Sequence, residues 1–184
     1  MGPVNCFRLY CLSLLAARLF LRPASSSELG KHYLGIRSFV WNEANVIGSK
    51  TCPRGWRYYQ KSCYGLFTDH LTWSAAEVEC FNVNSKAHLA SILNWQEMKE
   101  IAKYINNTYN DVGHIWIGLN DPNENQRWRW SDLSMVRFKP WDFGEPSNTN
   151  KKEFCVHLTA QSGYMKWNDA DCSLEMAYLC KYSA

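Results

Sequence analysis

The chain has 184 residues, with nine Trp, ten Tyr, eight Phe, eight Cys and a formal net charge of +3. That length accommodates one domain with a well-formed core and a further segment beside it. Arg8, Arg18 and Arg22 carry the whole charge excess, and no acid accompanies them before Glu28. The remainder is balanced, which gives no reason to expect a nucleic-acid or membrane-surface partner.

In chain order, Leu9 to Leu21 is an apolar run interrupted by Arg18, and the small residues Ala24-Ser25-Ser26-Ser27 follow it. This predicts a signal peptide over residues 1–27, hence secretion, because the run is too short to span a bilayer. Removing it takes away Cys6 and Cys11 and leaves Cys52, Cys63, Cys80, Cys155, Cys172 and Cys180. An even set without a CxxC pair or Cys/His ligand spacing reads as disulfides in an oxidising compartment, and the residues alone leave the pairing open. Residues 28–50 contain no cysteine and no sustained periodicity, so they read as a linker, a stalk or a removed propeptide. The domain proper is expected over residues 51–184.

Within that domain a strand is expected over Tyr58 to Tyr64. Thr72 is an N-cap candidate for a helix with Trp73, Ala76 and Cys80 on one face, and Asn94 with Glu97 forms a capping-box pattern before Met98, Ile101, Ala102 and Ile105. Further short strands are expected over Ile115–Leu119, Arg127–Trp130, Phe154–Leu158, Tyr164–Trp167 and Ala177–Tyr182. Between Asp132 and Lys152 lies a polar stretch too long for a hairpin, the kind of loop that carries function. Internal repeats and sustained heptads are absent, so the sequence contains no oligomerisation device of its own and leaves the oligomeric state open.

Trp116-Ile117-Gly118-Leu119, the six cysteines in their order, and Trp167-Asn168-Asp169 ahead of Cys172 together resemble the C-type lectin domain family. Cys52-Pro53 with Gly55-Trp56, His88-Leu89-Ala90-Ser91-Ile92 and Leu179-Cys180-Lys181 look like its secreted single-domain members. The regenerating (Reg) proteins are nearest in character, with venom and eggshell lectin-like proteins beside them. The resemblance implies an α+β fold: a long-form C-type lectin-like domain with two helices packed on small antiparallel sheets, a long irregular loop region and three disulfides. It selects the pairs Cys52 with Cys63, Cys80 with Cys180, and Cys155 with Cys172.

The same resemblance implies one calcium ion held by Glu145, Ser147, Glu153, Asn168 and Asp169, with Glu145, Ser147, Glu153 and Asn168 also bonding a sugar. A hard divalent cation takes about six to eight oxygen ligands, and a sugar diol can complete a shell built from acids and amides. Glu rather than Gln at 145 implies mannose-like or glucose-like ligands, and the Glu145-Pro146 bond is expected to be cis. Ser147 departs from the family's Asn. A hydroxyl must serve ion and sugar from one atom, where an amide gives its oxygen to one and its N–H to the other, so a weaker site of altered selectivity is expected. At a second family site Asp121 is retained while Asn125, Asn148 and Phe154 replace acids, so one ion is expected rather than two.

Trp116, Trp128, Trp130 and Trp167 read as core residues rather than a sugar-stacking platform. Arg127 and Arg129 alternate onto one strand face, as a solvated edge or a contact for sulfated or phosphorylated glycans. Asn106-Asn107-Thr108 is a glycosylation sequon at Asn106. Histidines at 32, 70, 88, 114 and 157 are dispersed, and no catalytic motif is present, so the chain reads as a binding protein and not an enzyme. The reading is thus a secreted, calcium-dependent lectin for mannose-type glycans, with no nucleic-acid partner and no membrane insertion. Its rivals are a calcium-independent module of regenerating-protein or venom type that meets a receptor protein, and a mineral-associated structural protein.

Overall fold

The computed structural model describes residues 52–184. The expected signal peptide and the 28–50 segment lie outside them. In chain order the elements are β1 (Arg57–Tyr59), β2 (Ser62–Leu71), α1 (Trp73–Val83), β3 (His88–Leu89), α2 (Trp95–Thr108), β4 (Ile115–Asn120), β5 (Arg129–Trp130), β6 (Glu153–Leu158), β7 (Trp167–Asp171) and β8 (Met176–Ser183). The α+β class stands, but the strands join in one eight-stranded sheet of order β1-β2-β8-β4-β6-β7, with β3 on β8 and β5 on β4. They are not separate small antiparallel sheets, because β8 pairs parallel to β4 and bridges the two halves. Among the described residues no helix is long and apolar enough to cross a membrane.

Both helix starts follow from their caps. Thr72 accepts the Ala75 N–H, and Asn94 Oδ1 accepts the Glu97 N–H at 2.9 Å. Glu97 Oε2 in return accepts the Leu93 N–H at 2.7 Å, one residue further out than the usual reciprocal contact. Its other oxygen takes Lys181 Nζ at 2.8 Å and the Tyr64 hydroxyl, so this cap residue is also the hub of a buried polar network.

Strand alternation divides the sheet between two cores. Ile115, Ile117, Leu119, Val156, Leu158 and Leu179 join Met98, Ile101 and Ile105 of α2 on one face. Trp116, Cys155, Tyr178 and Cys180 join Trp73, Ala76 and Cys80 of α1 on the other. A period of two sends successive residues of β4, β6 and β8 to opposite sides, which is why all of β4 up to Leu119 is buried. At Gly118 an added Cβ would lie 2.4 Å from the Leu89 carbonyl oxygen, so this crossing requires glycine.

Three expected strands need correction. The Tyr58–Tyr64 run is a hairpin: Tyr59 pairs with Ser62, and Gln60 and Lys61 turn the chain at φ of 43° and 67°. The Tyr164–Trp167 strand instead begins at Trp167, because Tyr164 adopts φ 65° and closes the turn after Gly163. The Arg127–Trp130 strand also shrinks to Arg129–Trp130, although Arg127 and Arg129 both face solvent.

The three disulfides are Cys52–Cys63, Cys80–Cys180 and Cys155–Cys172, as the resemblance implied. Aromatic rings fasten the long loop between β5 and β6. Phe138, Trp141 and Trp130 each meet Trp167 edge to face, and the Trp167 backbone N–H donates to the Pro140 carbonyl at 3.0 Å. The buried Trp116, Trp130 and Trp167 are thus core, and Trp128 packs half-buried on Trp141.

Candidate metal centre

Asp169 occupies the middle of β7 and is fully buried. The opposing loop curls over it through left-handed residues Asn148, Asn150 and Lys151, at φ of 46°, 55° and 56°. Such backbone is uncommon outside glycine, and here it turns successive N–H groups inward. Ser147 N and Asn148 N each donate to an oxygen of Asp169 at 2.9 Å, and Thr149 N donates to Glu153 Oε2 at 2.5 Å.

Ser147 is the junction of the cluster. Its N–H is shared with Glu145 Oε2 at 2.8 Å, while its Oγ donates to Glu153 Oε2 at 2.9 Å and meets Thr149 Oγ1 at 3.0 Å. The Glu145-Pro146 peptide is cis. Burial, then hydrogen bonding with Asp169, raises the Glu145 carboxyl above its ordinary value. The structure therefore brings Glu145, Ser147, Glu153 and Asp169 into one hydrogen-bonded group. Asn168 lies beside them on β7, opposite His157, and its Oδ1 is buried without a partner.

That orphaned amide oxygen is a test of fit. Three carboxylates, a hydroxyl and an unpartnered carbonyl oxygen form a hard oxygen donor set, the chemistry a calcium ion selects. Among the described residues no group of three or more His, Cys, Asp or Glu side chains is arranged to hold a metal unaided. Asp169 and Glu153 spend oxygens on loop N–H groups. Asn148 commits its side-chain oxygen to the Glu153 N–H at 3.3 Å, and Asp121 is buried with one oxygen on the Gln126 N–H at 2.6 Å.

Other flagged residues lie apart from this centre. Asn106 is exposed in the last turn of α2, where its Nδ2 donates to the Gly163 carbonyl at 3.4 Å. The histidines are dispersed in sequence, yet the His114 and His157 rings lie 4.4 Å apart. Burial lowers His157 to about 4, helped by His114. One participant was missed from sequence: Thr149, which caps the loop onto Glu153; Phe143, two residues before Glu145, stands fully in solvent.

The chain belongs to the C-type lectin domain family: the lectin C-type domain matches residues 69–182. It is 40% identical over 146 residues to a "C-type lectin mannose-binding isoform" of Oxyuranus scutellatus, covering 79% of this chain and 90% of that protein. Human lithostathine superposes with a TM-score of 0.69 at 38% identity, over 72% of this chain and 100% of that one. A calcium-independent type II antifreeze protein superposes with a TM-score of 0.63 at 29% identity, over 73% of this chain and 95% of that one. Like these relatives, the chain is a binding protein and not an enzyme.

Proposed function

We propose that the protein is a secreted lectin that binds mannose-type glycans through one calcium ion held by Glu145, Ser147, Glu153, Asn168 and Asp169. The observation that carries this reading is the hydrogen-bonded union of Glu145, Ser147, Glu153 and Asp169 beside the unpartnered Asn168 oxygen. When bound, the ion would supply open coordination positions for a vicinal diol. The chain's own acids and amide would accept and donate hydrogen bonds to the same hydroxyls, fixing the sugar's orientation. The mannose-binding name of the venom relative supports the choice of sugar. Export by residues 1–27 and glycosylation at Asn106 belong to the same proposal. Retention of the protein on immobilised mannan tests it: release by chelator is the expected result, and retention that ignores chelator overturns it.

One observation favours a second reading, a calcium-independent interaction module. The Ser147 hydroxyl is already committed to Glu153 and Thr149, so it is not free to serve an ion and a sugar. The calcium-independent antifreeze relative is consistent with a fold that works without the ion. In that case a receptor protein or a mineral surface replaces the glycan, and binding persists in chelator.

A further inference from the structure

Phe143 is 101% exposed, the most exposed large apolar side chain among the described residues. A phenyl ring left in water forgoes the free energy its burial would yield, and the core a few residues away already holds Phe138 and Trp141. The exposure is enforced by the backbone. The Glu145 N–H donates to the Asp142 carbonyl at 3.1 Å, and Gly144 supplies φ +83°, which makes residues 142–145 a tight turn with Phe143 at its corner. The Phe143 N–H is pinned to Asp142 Oδ1 at 2.8 Å.

This turn has a rigid mount. The Asp142 N–H donates to the Trp167 carbonyl at 2.8 Å, and Trp141 packs edge to face on the Trp167 ring. The next two residues of that strand are Asn168 and Asp169, and the turn itself ends on Glu145. Phe143 is therefore held in fixed relation to three members of the candidate centre, without belonging to its oxygen donors.

We propose that Phe143 forms an outer subsite of the glycan site, stacking on the C–H face of the sugar unit joined to the calcium-held one. The preferred ligand is then an oligosaccharide and not a single sugar. This assignment rests on the calcium-lectin reading above. A pyranose presents an apolar face of C–H groups, and a flat, rigid, exposed ring recognises it at little entropic cost. A second unit held this way also compensates for the weak affinity of a single shallow sugar contact.

The test compares methyl α-mannoside with an α-linked mannobiose by calorimetry in calcium, for the unchanged protein, Phe143→Ala and Phe143→Trp. The expected result is that the disaccharide-to-monosaccharide affinity ratio falls about five- to tenfold in Phe143→Ala, tenfold being ~1.4 kcal/mol. Phe143→Trp should keep the ratio within about twofold, since it retains an aromatic face. An unaltered ratio in Phe143→Ala overturns the subsite, as does a parallel loss of calcium affinity in both variants, which would mean the residue only holds the turn. If the unchanged protein binds neither sugar in calcium, the lectin reading itself fails and the subsite with it, and that outcome is recognised before any variant is made.

Discussion

Ser147 Oγ donates to Glu153 Oε2 at 2.9 Å, so the residue that replaces the family's asparagine ties two arms of the candidate centre together. A single oxygen engaged in this way has to be withdrawn before it can serve an ion. Ser147→Asn is expected to tighten calcium binding by about tenfold, ~1.4 kcal/mol, because an amide offers a carbonyl oxygen and an independent N–H donor. Calcium titration by calorimetry checks this, and equal affinities in the two proteins would reject Ser147 as the weak point.

Glu145 and Asp169 are expected to matter for the ion more than for the fold. Glu145→Gln and Asp169→Asn keep shape while removing charge, and each should weaken calcium by at least about tenfold with the circular dichroism of the unchanged protein. Because the Glu145 carboxyl is raised by burial and by Asp169, protons should compete with calcium at higher pH than at an ordinary glutamate. Calcium affinity that stays constant from neutral pH down to the ordinary glutamate range would argue against both statements.

His157 predicts an acid-sensitive fold. It is 3% exposed and lowered from 6.5 to about 4, with burial as the main cause. The unfolded chain then takes up a proton that the native state refuses. This contribution to stability is intact above pH 6.5 and declines as pH falls from there toward about 4, by on the order of 3 kcal/mol in all. His157→Gln should flatten the profile over that window in urea unfolding experiments.

Glu97 is 4% exposed and holds Lys181 Nζ, the Tyr64 hydroxyl and the Leu93 N–H. Glu97→Ala strands a buried lysine and should cost about 3–5 kcal/mol. Glu97→Gln combined with Lys181→Met should lose less than the single truncation, since no unpaired charge is left behind. Denaturant midpoints of the three proteins decide it, and a harmless Glu97→Ala would show that water replaces the network.

The Cys80–Cys180 bond closes 100 residues, for which the chain-entropy model gives roughly 4–5 kcal/mol. Replacing both cysteines with serine should lower stability by that order. The short Cys52–Cys63 loop of 11 residues should matter less, and thermal melts of the two double variants would rank them.

What was legible in the sequence was local or strongly patterned. Asn94 and Glu97 announce α2 because capping and a 3.6 period act within one turn of helix, and the unbroken apolar run around Trp116 announces a buried strand. The hairpin at Gln60-Lys61 was hidden because neither residue advertises positive φ as Asn-Gly would. The sheet's parallel join was hidden because it links Ile115 and Trp116 to Ala177 and Tyr178, far apart in the chain. The family resemblance drew Glu145, Ser147, Glu153, Asn168 and Asp169 into one centre, but not Ser147 as its hydrogen-bonded junction. Solvent exposure at Phe143 depends on where the rest of the loop packs, which no local pattern records.

The position of β8 has a consequence for how the protein is made. This strand lies inside the sheet and hydrogen-bonds to β2, β3 and β4, all of which precede it in the chain. During synthesis those three strands emerge with their central neighbour still missing, and Cys80 waits as a free thiol for Cys180. Contacts of such long sequence separation form slowly. Until β8 is made, the nascent chain therefore keeps open strand edges and an unpaired cysteine.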